Sequence, residues 1–265
     1  MGWLLLFRRA NSAAVPTEVE KECQTCSVST PKSPVRSYDS VLQSIEADLR
    51  DGKIKVGDQL PGERVLAQKH GISRASVRDA IRILDVMGVV HTAAGSGPRS
   101  GAVVIANPSA GLSSTLRLHM ATSHFPVSDV VQTRIMMETW AAVESAGCEH
   151  APADFAQLES LLEAMAAPTL DREVFHALDA QFHVLLSSLA KNAVITALME
   201  SLRTAVQSYV SDAIDSDEMW EKIVPTLREQ HQDIYAAACK HDGAGTAAAL
   251  REHIEWFHSQ THPMS

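Results

Sequence analysis

From Tyr38 onward, apolar side chains fall into helical stripes separated by short breaks. Val41, Ile45 and Leu49 recur at i, i+4 and i+8, which predicts a first helix that ends at Asp51-Gly52. A short extended piece, Lys53 to Leu60, follows. Pro61 then sits where a helix starts, because its missing N–H is harmless in a first turn. This second helix is expected to run to about His70 and stop at Gly71. Ser73 is a natural N-cap for a third helix, with Val77, Ile81, Leu84 and Met87 on one face and Gly88 as terminator. Val89–Thr92 and Ala102–Ile105 read as two strands around a Gly/Ser/Pro-rich loop. Three helices followed by a β-hairpin wing is the order of a winged helix-turn-helix, assigned to residues 36–106.

Asn107-Pro108-Ser109 reads as part of a linker, residues 107–111. Beyond it the period is helical throughout. Segments of roughly 111–123, 127–148, 152–166, 171–190, 192–213, 225–240 and 243–259 are punctuated by Pro126, Pro152, Pro168, Pro225 and Gly243. The expected fold is therefore mainly α: the winged unit, then an all-α seven-helix bundle over residues 112–262. Residues 1–35 are rich in Ser, Thr, Pro and Glu, lack periodicity, and are expected to form a disordered extension. The apolar run after Met1 is too short for a signal peptide and its charges follow it, so it is read as an extension or a misassigned start.

Charge divides the chain. Residues 36–107 carry ten basic side chains against eight acidic, whereas residues 108–265 carry nine against twenty-one. The net charge of −9 thus belongs to the C-terminal part, and a nucleic-acid module in the N-terminal part is not excluded. Four cysteines among 265 residues make no disulfide framework, which favours a reducing cytoplasm. Cys23 and Cys26 form a CxxC with no second pair nearby, and two thiols in a tail are the better reading. No run is long enough to span a membrane.

A recognition helix puts its N-terminal side chains into the major groove. Here these are Ser73, Arg74, Ala75, Ser76 and Arg78, with Arg74 and Arg78 on one face, opposite Val77 and Ile81. An arginine there can take guanine O6 and N7 with two bonds, and hydroxyls can reach phosphates. Composition alone fits an ordinary solvated helix equally well. The run Gly57-Asp58-Gln59-Leu60-Pro61-Gly62-Glu63-Arg64-Val65-Leu66-Ala67, then Gly71-Ile72-Ser73-Arg74-Ala75-Ser76-Val77-Arg78-Asp79-Ala80-Ile81-Arg82-Ile83-Leu84 and Gly88-Val89-Val90, resembles the DNA-binding domain of the GntR family. The resemblance spans about residues 38–105. It implies DNA contacts from Arg64, Arg74 and Arg78, with Ser73, Ser76 and a wing glycine such as Gly97 assisting. The wing, Gly95 to Gly101, is longer than the family's usual short turn.

In the helical part, Asp179 and His183 stand at i, i+4 beside the stripe Phe175, Leu178, Phe182, Leu185 and Leu189. His231 is in register with Leu227, Ile234 and Ala238, and His253 with Leu250, Ile254 and Phe257. Three helices thus aim ionisable groups inward, and a shared cation would satisfy them. Hydrogen-bonded core histidines are the alternative on spacing alone, and His176 is the rival ligand. Asp179-Ala180-Gln181-Phe182-His183, Asn192, Gln230-His231, His253-Ile254 and the Arg134-x3-Glu138 pair resemble the FCD effector domain of the FadR-type GntR subfamily. That resemblance implies Asp179, His183, His231 and His253 as ligands of a divalent transition metal (Zn, Ni, Fe or Mn) and Arg134 as an anion-holding residue in the same cavity. A structural ion pair is the other role open to Arg134.

These readings combine into a cytoplasmic transcription regulator, a repressor by the commoner family behaviour. A homodimer would bind a near-palindromic operator in double-stranded DNA and respond to a small organic acid. Two other classes compete: a metal sensor, and a metal-dependent enzyme. The enzyme is disfavoured because three histidines and one aspartate fill four positions with no general base beside them.

Overall fold

The computed structural model describes residues 37–93, 101–122, 125–214 and 216–261. Ten helices and a two-stranded sheet are found among them. The fold is mainly α, with a winged helix-turn-helix followed by seven helices.

Helix α1 (Asp39–Arg50), α2 (Glu63–His70) and α3 (Arg74–Val86) precede β1 (Val90–Ala93) and β2 (Gly101–Val104). The strands pair antiparallel, Val90 opposite Val104 and Ala93 opposite Gly101. The extended piece before α2 lies along the other edge of β2: Leu60 N donates to Ala102 O at 2.8 Å and Val104 N to Asp58 O at 2.8 Å. Val41, Ile45, Leu66, Val77, Ala80, Leu84 and Val90 close one core beneath these elements. Two details depart from the sequence pattern. Pro61 is not in the first turn of α2: Gly62 is extended and caps the helix through its carbonyl, which accepts from Val65 N at 2.8 Å. Met87 is the C-cap of α3 rather than part of its apolar face, and it turns outward.

The remaining helices are α4 (Pro108–Ala121), α5 (Val127–Ser145), α6 (Pro152–Met165), α7 (Arg172–Ser188), α8 (Ala193–Ala213), α9 (Asp217–Cys239) and α10 (Gly243–Thr261). Helix α4 opens with Pro108 in its first turn, so helix takes over inside the stretch expected as linker. The larger correction is α9. It starts eight residues before Pro225, which lies inside it. Ser216 Oγ accepts from Met219 N at 3.2 Å, and Asp217 and Glu218 supply the negative charge that a helix N-terminus favours. Pro225 and Glu221, whose carbonyl it cannot bond, both lie on the exposed side, where water can satisfy the group.

The main core of this part joins Leu158, Leu162, Phe175, Phe182, Leu186, Leu227, Ile234 and Leu250 from α6, α7, α9 and α10. At its start, the turn after α3 meets the entry to α4 closely. Gly88 has φ +72°, and a Cβ there would lie 2.0 Å from the Asn107 carbonyl oxygen. Asn107 N donates to Gly88 O at 3.1 Å, and a Cβ on Gly111 would lie 3.0 Å from Met87 Cα.

Candidate metal centre and nucleic-acid interface

Ser73 has extended φ/ψ and its Oγ accepts from Ser76 N at 3.1 Å, which caps α3. Ser76 Oγ lies 3.0 Å from Ser73 Oγ and accepts from Ser37 Oγ at 2.9 Å. Both hydroxyls therefore already serve the helix start. Arg64, Arg74 and Arg78 are exposed. Arg74 and Arg78 point outward from the first turns of α3, as a helix entering a groove requires. Both are held by Glu63 at the start of α2. Arg78 Nε donates to Oε1 and its Nη2 to Oε2, each at 3.2 Å, and Arg74 Nη2 donates to Oε2 at 3.3 Å. Hydrogen bonds from Arg78 and, less strongly, Arg74 keep the Glu63 carboxyl below its usual range in spite of some burial. Gly97 lies outside the described residues.

In the helical part, Asp179 and His183 on α7, His231 on α9 and His253 on α10 come together. One ligand atom from each lies within 4.8 Å of all the others. His231 Nε2 is 2.8 Å and His183 Nε2 is 3.8 Å from Asp179 Oδ1, and the Nε2 atoms of His183 and His253 are 3.3 Å apart. Donor atoms bound tetrahedrally at about 2.0–2.2 Å from a cation are separated by roughly 3.3–3.6 Å; the His183–His253 pair matches that spacing and the two distances to Asp179 fall on either side of it. The three imidazoles are buried. His176, the rival, does not join them: its ring lies against Trp220 and Phe175.

The tautomers tell which nitrogens face the centre. Glu138 on α5 is buried, yet Arg134 and His183 outweigh that burial and keep its carboxylate ionised. Its Oε2 accepts from His183 Nδ1 at 2.6 Å, and its Oε1 accepts from Arg134 Nε. Gln230 Oε1 accepts from His253 Nδ1 at 2.9 Å. With both Nδ1 atoms donating, the two Nε2 atoms present lone pairs to each other. Burial pushes His183 below the ordinary histidine range, and burial with His231 and His183 as neighbours pushes His253 well below it, so a shared proton is disfavoured. His231 Nε2 is close to Asp179 but outside hydrogen-bond geometry, and neither of its ring nitrogens has a hydrogen-bond partner among the described residues. Burial resists ionisation of Asp179, but His231, His183 and Arg134 hold its carboxyl far below the usual range. Facing lone pairs, an off-axis imidazole and a carboxylate form a donor set that a divalent cation fits.

Sequence spacing pointed all four members of this cluster inward and the FCD resemblance singled them out, but neither indicated their support. Glu138 and Gln230 fix which imidazole nitrogen is exposed to the centre, as outer-shell partners of metal-bound histidines do. A signal for Glu138 was present: a carboxylate among the buried positions Ile135, Met137, Ala141 and Ala142 needs a reason. Arg134 has the ion pair with Glu138 that its i, i+4 spacing allows. Nothing in the sequence pattern marks a role for Glu63, whose partners lie on α3.

Comparison with known proteins places two domains on this chain. Residues 37–99 match the family described as bacterial regulatory proteins, gntR family, and residues 129–255 match the FCD domain. The Uxu operon regulator of Haemophilus influenzae is 26% identical over 231 residues, 83% of this chain and 80% of its own length. The HTH-type transcriptional regulator LutR of Bacillus subtilis is 25% identical, covering 78% of this chain and 92% of its own. The Glc operon transcriptional activator of Escherichia coli is 27% identical, covering 84% and 87%. Among solved structures, Streptococcus agalactiae GntR shares the fold with a TM-score of 0.57 at 17% identity, over 82% of this chain and 97% of that one.

Proposed function

The chain belongs to the GntR family of bacterial regulatory proteins, in the branch that carries an FCD domain, and from that membership we propose a DNA-binding regulator whose operator affinity is set by a small organic acid at a metal centre. Its family and the relatives named above are transcription regulators rather than enzymes. No described helix is long and apolar enough to cross a membrane.

The observation that carries the proposal is the convergence of Asp179, His183, His231 and His253, with two imidazole lone pairs facing each other. These four residues would hold the ion, which when bound supplies a concentrated positive charge and could take an anionic oxygen as a ligand beyond the four. The charge balance names the class of effector. Asp179 and Glu138 together match a divalent cation, and Arg134, close to both, then leaves the centre positive by one charge. A carboxylate ligand completes it, and hydroxy-, keto- and sugar acids offer a second oxygen. Without the ion the same groups sum to a negative charge and repel an acid. Anion capture is therefore conditional on the metal.

Two copies of the winged unit, related by a two-fold axis, would read two half-sites of a near-palindromic operator. Arg64, Arg74 and Arg78 form the reading set, with the capping hydroxyls of Ser73 and Ser76 and the wing at Gly97 as backbone contacts. The acid alters operator affinity only as far as it prefers one arrangement of the bundle over another. Repression is the proposed sign, although one relative is named an activator.

The test is a thermal-shift screen of small hydroxy-, keto- and sugar acids, run with protein loaded with Zn, Ni, Fe or Mn and with chelated protein. Acids of the right class are expected to raise the melting temperature only in the loaded protein. Equal shifts in chelated protein would overturn the metal-dependent site. Duplex binding that follows metal titration and ignores every acid would instead select the ion itself as the signal.

A further inference from the structure

We propose that Glu63 is a positioning residue for DNA recognition, a clamp that presets the two recognition arginines and restrains non-specific binding. The proposal rests on the DNA-binding reading and concerns a residue that reading leaves without a role.

One carboxylate on α2 stands between two guanidinium groups on α3. It takes the side edge of the Arg78 fork, Nε and Nη2, with both oxygens. The remaining edge, Nη1 with the second N–H of Nη2, is the one that can span O6 and N7 of a guanine. Arg74 gives Glu63 a single Nη2 bond. All three side chains are partly in water, with Arg74 and Arg78 at least half exposed. Exposed pairs of this kind add little to stability, so stability does not account for three charge-assisted bonds converging on one residue. Orientation does. A long arginine stem loses rotamer freedom when it meets a base, and a clamp that has already ordered the fork removes part of that penalty at the correct sequence.

The clamp also subtracts charge where phosphates would attract it. Without Glu63 the guanidinium groups of Arg74 and Arg78 lose their hydrogen-bonded counter-charge, leaving only the weaker influence of Asp79 on Arg78, and any duplex satisfies them through its backbone. With Glu63 the tip carries one excess charge. Binding to arbitrary DNA is weakened, while a site that offers guanine edges in the right place keeps its directional bonds. Glu63 thus raises the ratio of specific to non-specific binding.

The experiment starts with duplexes selected by the wild-type chain from a random-sequence pool. Fluorescence anisotropy then follows binding of a selected and a scrambled duplex across a KCl series, for wild type, Glu63→Gln and Glu63→Asp, with melting curves to check the fold. Glu63→Gln is expected to bind the scrambled duplex several-fold tighter, with a log–log salt slope steeper by about one. Its selectivity ratio should fall roughly tenfold. Glu63→Asp keeps the charge, and so the wild-type salt slope, but is one methylene too short to reach both forks. Its selectivity should fall too. Unchanged selectivity in both folded variants overturns the clamp. So does a changed preference at one base pair with undiminished discrimination, which would mean that Glu63 reads a base itself. If the wild type retains no duplex at all, the DNA-binding reading fails with it. If the wild type selects and the variants match it, only the clamp fails.

Discussion

Replacing His183 with alanine is expected to abolish stoichiometric metal in the purified protein and to make its melting temperature insensitive to added Zn, Ni, Fe or Mn. His183 lies at the middle of the cluster, bonded to Glu138 on one side and facing His253 and Asp179 on the other. Its loss removes one donor and releases the restraint that the α5 carboxylate applies to the site. In the wild type, an ion present at a thousand times its dissociation constant contributes about 4 kcal/mol of apparent stability. For a chain of this size that is a shift of about 10 °C on chelation. Glu138→Gln should give a graded result, because an outer-shell partner is typically worth about 10- to 100-fold in metal affinity. Elemental analysis and melting curves with and without chelator check both variants. Full metal content in the His183 variant would show that the ligand set is wrong.

The second large effect is expected at Arg78. Arg78→Ala should weaken binding to a selected duplex by about 1–3 kcal/mol and relax base preference at one position of each half-site. Arg74→Ala should follow in the same direction. A contact to phosphate alone would instead weaken all duplexes alike and reduce the salt slope by about one. Competition between selected and scrambled duplexes separates the two outcomes. Affinity and preference both unchanged in the Arg78 variant would remove it from the reading set.

Most of this architecture is legible in the sequence because the chain obeys simple periodicities. Val41, Ile45, Val77 and Leu84 fall at helical spacing, and all four are buried. Ser73 and Gly71 mark the turn before α3 in the way their chemistry dictates: a hydroxyl that caps, and a glycine at φ +63°. The four donors of the proposed centre are legible because each lies on or beside an apolar stripe, and the resemblance to the FCD domain singles them out from the other histidines. The failures share a cause. Pro225 reads as a boundary because proline cannot donate, but a proline on the wet side of a long, well-capped helix leaves its orphan carbonyl to solvent. Glu138 and Gln230 were missed as orienting groups because their partners lie on other helices, 45 and 23 residues away in sequence. Spacing along one helix carries no information about which ring nitrogen another helix will engage. Glu63 is a similar case, since the link to Arg78 crosses from α2 to α3.

The joint at Gly88 is a weld rather than a tether. Its missing side chain lets the Asn107 carbonyl sit where a methyl group would otherwise be, and Gly111 leaves no gap against Met87. Main chain therefore meets main chain between the end of α3 and the start of α4, with no side chain between them. For anyone exchanging readers between relatives of this chain, the seam belongs outside residues 87–111. A cut within it would part backbone groups that fit together only because Gly88 and Gly111 lack side chains.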